Sequence, residues 1–127
     1  MSTAFNQDIS KWNVACASTM SSMFIFASAF NADLAGWNVA SVTTMSSMFD
    51  GADAFNSDLS KWNVARVSTM SSMFFSANAF NSDLDGWNVA SVSNMDNPRS
   101  CDTLHPLPFS LWPGEVITVC FLFDGWS

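Results

Sequence analysis

The chain has 127 residues, 49% hydrophobic and 12% charged, with 12 Phe, 6 Trp, 8 Met and no Tyr. That length suits one domain with a modest core and excludes a multidomain machine. Four Lys and Arg against 11 Asp and Glu leave a formal net charge of −7; this gives no electrostatic footprint for nucleic acid or an anionic membrane, and the apolar content excludes intrinsic disorder.

The N-terminus, Met1-Ser2-Thr3-Ala4-Phe5, has no basic residue and no apolar stretch behind it, so no secretory signal is expected and the compartment stays open. The longest apolar run, Val116 to Phe123, falls well short of the roughly 20 residues that span a bilayer as a helix. Cys16, Cys101 and Cys120 are odd in number and irregular in spacing. They define neither a disulfide framework nor a zinc site, so plain thiols are expected, with a Cys101–Cys120 bridge as the alternative.

A 25-residue period organises the chain. It links Phe5, Phe30, Phe55 and Phe80, then Trp12, Trp37, Trp62 and Trp87, then Met20, Met45, Met70 and Met95. The unit reads Phe-Asn-x-Asp-(Ile/Leu)-x-x-Trp-Asn-Val-Ala-x-x-(Ser/Thr)-x-Met-x-x-Met-Phe-x-x-Ala-x-Ala. The first and third units share Ser-Lys-Trp-Asn-Val-Ala, and the second and fourth share Gly-Trp-Asn-Val-Ala-Ser-Val. That alternation points to duplication of a 50-residue pair. A fixed period in this range marks stacked repeats, because one unit cannot bury its apolar face alone. Units are placed at about 5–29, 30–54, 55–79 and 80–97, inside a repeat region 3–97.

Within a unit, Ile9, Trp12 and Val14, with Leu34, Trp37, Val39 and their equivalents, follow the L-x-x-L-x-L spacing of leucine-rich repeats and predict a short strand. Met45, Met48, Phe49 and Ala52 fall at i, i+3, i+4 and i+7 and predict a helix, with Ser18, Thr43 or Ser68 as its N-cap. The expected fold is an α/β, right-handed, leucine-rich-repeat-like solenoid of four strand–helix repeats with a divergent C-terminal tail. A pure β-solenoid is the alternative if the Met-Ser-Ser-Met-Phe segment is extended.

Segments such as Phe-Asn-x-Asp-Ile-Ser-x-Trp-Asn-Val and Val-Thr-x-Met-Ser-x-Met-Phe resemble the BspA-like leucine-rich-repeat surface proteins, whose repeat also occurs in mycoplasma surface lipoproteins. The resemblance covers Thr3 to about Met95. It implies a non-enzymatic solenoid used for adhesion or protein–protein contact, and it brings no catalytic residues.

Four columns of polar residues are candidate sites. Asp8, Asp33, Asp58 and Asp83 stack carboxylates at about the 4.7–4.9 Å spacing of neighbouring strands, which admits calcium, but capping of each local turn is the expected role. Asn6, Asn31, Asn56 and Asn81 are expected to form an internal amide ladder. Ser18-Thr19, Thr43-Thr44 and Ser68-Thr69 suit either a hydroxyl ladder for ordered water or sugar, or helix capping, which is preferred. Lys11, Gly36, Lys61 and Gly86, beside Asn13, Asn38, Asn63 and Asn88, mark the solvent side of the strands, the usual binding face of leucine-rich repeats.

The array begins without an obvious cap before Phe5. At the other end Pro98 stops the pattern, and residues 98–127 form an apolar tail, with Val116 to Phe123 as a strand. The tail is expected to cap the last repeat or to dock on a partner through Trp112, Val116, Phe121 and Phe123. The single histidine, His105, has no nucleophile or phosphate-loop motif around it. No enzyme activity, cofactor, metal or small-molecule ligand is expected. The leading expectation is a protein–protein interaction or adhesion scaffold. The alternative is an accessory subunit docked on a larger complex by the tail and the uncapped repeat end.

Overall fold

A computed structural model describes residues 3–84 and 86–93. Among the described residues the 25-residue units form coils that stack so that residue i lies over residue i+25. Residues Ile9, Trp37, Met45, Phe49, Phe55, Leu59, Val64 and Phe80 lie in one continuous buried core with Phe24, Phe30, Leu34, Val39, Trp62, Met70, Phe74 and Trp87. Two phenylalanine columns run up its centre. Phe5, Phe30, Phe55 and Phe80 stack at 5.7, 5.9 and 5.9 Å, and Phe24, Phe49 and Phe74 at 5.6 Å. The two columns meet face to face at 3.9–4.1 Å, as in Phe49–Phe55 and Phe24–Phe30. The indoles of Trp37, Trp62 and Trp87 tilt against the second column, a geometry aromatic pairs prefer over a sandwich.

The strand–helix architecture expected from the sequence does not form. Among the described residues there is no α-helix, and the only strand-type pairing is the pair of parallel bridges Thr19↔Thr44 and Thr44↔Thr69. The coils are built from tight turns instead.

The segment expected to be a strand is two successive five-residue turns with the same chemistry. Asp8 Oδ1 accepts the Ser10 N–H and Trp12 N donates to the Ile9 carbonyl; Asn13 Oδ1 then accepts the Ala15 N–H and Ala17 N donates to the Val14 carbonyl. Asp and Asn favour such turns because their side chains reach the backbone two residues on. The next coil repeats both turns at Asp33–Trp37 and Asn38–Val42. Leu34, Trp37, Val39 and Val42 all become buried. The leucine-rich-repeat spacing is therefore the spacing of two consecutive turns.

The segment expected to be a helix has the right buried face and a different backbone. Met45, Met48, Phe49 and Ala52 are all fully buried. Their amides divide by parity. Met48, Asp50 and Ala52 donate locally to Met45, Ser47 and Phe49, three residues back, whereas Met45, Ser47, Phe49 and Gly51 donate to Thr69, Ser71, Met73 and Phe75 of the next coil. A helix would send every amide beyond its first turn, Phe49, Asp50, Gly51 and Ala52 among them, to a carbonyl four residues back in the same segment. Here half of them hold the stack together. The alternation requires left-handed residues, and Ser22, Ser47 and Ser72 take φ of 56–60°, while Phe26, Gly51 and Ser76 take 58, 72 and 56°. A left-handed backbone costs a non-glycine residue roughly 1–2 kcal/mol, which the inter-coil bonds and core packing must offset.

Candidate functional site

The solvent-facing columns have three different bonding patterns. The Asn column is a ladder: Asn31 N donates to Asn6 Oδ1, Asn56 N to Asn31 Oδ1 and Asn81 N to Asn56 Oδ1, at 2.8, 2.8 and 2.7 Å. The ladder expected from the sequence is present, but on the outside of the coils and not in their interior, since all four Asn are exposed.

In the Asp column each of Asp8, Asp33 and Asp58 accepts the amide two residues on, at 2.9–3.0 Å. Local turn capping is thus what these residues do. For Asp8, bonds from the Ser10 hydroxyl and amide, with the Lys11 charge adding, hold the carboxyl below its ordinary value; Ser60 and Lys61 act likewise on Asp58. A shallow groove lined by Asn6, Asp8, Ser10, Asn31, Ala32 and Asp33 runs along these two columns. Among the described residues no group of three or more His, Cys, Asp and Glu could hold a metal ion.

The Ser/Thr array corrects the capping expectation: with no helix to cap, its groups bond between coils. Thr43 N and Oγ1 both donate to the Ser18 carbonyl, and Ser68 N and Oγ to the Thr43 carbonyl. The adjacent hydroxyls close a ring in which Thr44 Oγ1 donates to Thr19 Oγ1, Thr19 Oγ1 to Ser21 Oγ and Ser21 Oγ to Thr44 Oγ1, at 2.8, 3.4 and 3.1 Å. Ser46 Oγ continues the pattern to Thr69 Oγ1 at 3.1 Å. Each hydroxyl has two acceptor lone pairs, so the face retains acceptor capacity beyond these bonds.

Lys11 and Lys61 are exposed, and they sit in the Asp-capped turns and not on a strand face; Gly36 and Gly86 are the turn residues next to Trp37 and Trp87. Asn13, Asn38, Asn63 and Asn88 each accept an amide of their own turn through Oδ1. Cys16 is an exposed free thiol. Trp112, Val116, Phe121, Phe123, His105, Cys101 and Cys120 lie outside the described residues.

Two features go beyond the sequence reading. The Trp column is a second inter-coil clamp: Nε1 of Trp37, Trp62 and Trp87 donates to the carbonyl of Ile9, Leu34 and Leu59, at 3.0, 2.9 and 2.9 Å, in the buried core. The signal in the sequence is the strict Trp period, which apolar packing alone would also produce. Trp12 is the other. It is 54% exposed where its three equivalents are 2–4% exposed. Phe26, 58% exposed, stands in the column where the next coil has Gly51.

Among the described residues no helix is long and apolar enough to cross a membrane. No curated protein and no solved structure matches the chain. Residues 1–101 match the family described as "Mycoplasma protein of unknown function, DUF285". The match takes in every described coil, and the chain belongs to that family.

Proposed function

We propose that this chain is a non-catalytic interaction module whose stacked coils present a rigid polar face to a protein partner, in an adhesive or assembly role. The observation that carries the reading is the hydroxyl face of Thr19, Ser21, Thr44, Ser46 and Thr69, whose side chains are cross-bonded from coil to coil. Groups held in this way lose little freedom on binding, so weak contacts repeated along the stack can add. The family is one associated with BspA-like repeat surface proteins, which supports an exposed, contact-making role.

The test places a photoreactive side chain at position 44 and follows the chain in extract of its source cells by size-exclusion chromatography with immunodetection. The expected result is elution above monomer mass and a discrete protein adduct from position 44. Elution as a monomer without an adduct overturns the reading.

A second reading, an accessory subunit seated on a larger complex by the end of the stack, is favoured by the exposed Trp12. An adduct from position 12 in place of position 44 selects it.

A further inference from the structure

The groove beside the Asn and Asp columns contains none of the hydroxyl-face residues, and the repeat itself shows what is missing from it. It lies between the first two coils, encloses about 360 Å³ and is lined by Asn6, Asp8, Ser10, Asn31, Ala32 and Asp33. At the next interface the residue equivalent to Ala32 is Ser57, whose Oγ accepts the Leu34 N–H at 3.1 Å. At the interface after that it is Ser82, whose Oγ donates to the Ser57 carbonyl at 2.7 Å. A side-chain hydroxyl therefore stands in this place at both later interfaces, and at the first Ala32 supplies none.

Two polar groups are left open beside the groove. Ile9 N is the equivalent of Leu34 N, in a residue only 2% exposed, and it has no hydrogen-bond partner among the described residues. Buried amides are nearly always paired, so this donor marks a position where an acceptor belongs. Asp33 Oδ1 takes the Ala35 N–H, and Oδ2 accepts nothing among the described residues. Ala35 stands there where Asp8 and Asp58 have the hydroxyls of Ser10 and Ser60.

These groups select the ligand chemistry. An ammonium or a metal cation has no lone pair for the Ile9 amide, and a carboxylate or phosphate would be repelled by Asp8 and Asp33. A hydroxyl has both a lone pair for the amide and a proton for the carboxylate. Asn6 and Asn31 spend Oδ1 on the ladder, which leaves their side-chain N–H groups as further donors at the rim. We propose that this groove binds a saccharide. One sugar hydroxyl takes the place that Ser57 fills at the next interface and accepts from Ile9 N, and a neighbouring hydroxyl donates to Asp33 Oδ2. The groove is at the small end of ligand sites, which limits the contact to a single sugar ring.

The test is an NMR titration of the isotope-labelled full chain with glucose, galactose, mannose and N-acetylglucosamine, with their methyl glycosides, and with glycerol. Saturable shifts of the Ile9, Ser10 and Asp33 amides are expected with at least one sugar and not with glycerol. A methyl glycoside that binds as the free sugar does identifies a glycan linked to a carrier, whereas binding that needs the free anomeric hydroxyl identifies a soluble sugar; either supports the site. Ala32→Ser supplies the hydroxyl from the chain itself, as Ser57 does, and is expected to keep the fold and weaken binding by about tenfold, the weight of one hydrogen bond. Ser57→Ala makes the opposite change and is expected to add saturable shifts at the Leu34 amide. No saturable shift with any of the four sugars, an equal response to glycerol, or binding unchanged by Ala32→Ser would each overturn the proposal and leave the groove to ordered water.

Discussion

Replacing Trp62 with Phe isolates the indole clamp. Trp62 is 2% exposed, its Nε1 donates to the Leu34 carbonyl at 2.9 Å, and its ring packs on Phe49. The Leu34 carbonyl also accepts Trp37 N, so it is not orphaned, and the lost bond is worth about 1 kcal/mol. The smaller ring leaves a void costing about 1–2 kcal/mol more. Together these give about 2–3 kcal/mol, which for a stack of this size lowers the unfolding midpoint by roughly 8–20 °C. Trp12→Phe is the internal control: same substitution, same sequence context, but an exposed ring and no indole bond among the described residues, so it should cost under about 0.5 kcal/mol. Differential scanning calorimetry measures both. Equal losses at positions 12 and 62 would refute the clamp and leave the Trp column as packing alone.

Four further outcomes follow from the same geometry. Asn56→Ala removes the acceptor of Asn81 N at an exposed rung and should cost about 0.5–1 kcal/mol by chemical denaturation, since water replaces the bond. Gly51→Ala should cost about 1–2 kcal/mol or more in the same assay, because φ is 72° and the new Cβ would sit 2.6 Å from Phe26 Cδ1. Burial raises the pKa of Asp50; its charged form is penalised only in the folded chain, so stability falls as pH rises from the ordinary value of 3.8 through the folded one. Asp50→Asn should therefore raise the midpoint at neutral pH, with the gain vanishing in acid. Asp8 and Asp58 have the opposite sign: their depressed values contribute stability above 3.8 that is lost as pH falls through them. Asp58→Asn should flatten the acid limb of a stability–pH profile, since an uncharged amide does not titrate.

The stacking was legible because Phe, Trp, Met and Asn each recur at one step of 25, and identical side chains at a fixed period fall into columns only when one coil lies over the next. The buried face of the second half-unit was legible too: Met45, Met48, Phe49 and Ala52 are all in the core. Its backbone was not. Consecutive three-residue-back turns bring i, i+3 and i+7 to one side much as a helix does, so side-chain periodicity cannot tell the two apart. What separates them is the destination of the Met45, Ser47 and Phe49 amides, and that lies in another coil. The first half-unit held a readable signal that the leucine-rich-repeat spacing masked. Asp-Leu-x-x-Trp and Asn-Val-x-x-Val place an Asx residue before apolar residues at +1 and +4 twice in succession, which is a turn repeated and not a strand. The hydroxyl ladder was legible as the alternative to capping, and capping was preferred only because it presumed a helix; without one Thr43 and Ser68 have no N-terminus to cap.

The division of amides also explains why one coil depends on the next. Phe49 is fully buried, and its N–H is satisfied only by Met73 of the neighbouring coil. A coil taken alone would leave that donor and those of Met45, Ser47 and Gly51 unpaired, at a cost that local turns cannot offset. Folding is therefore a property of adjacent coils, as expected of a quasi-one-dimensional stack.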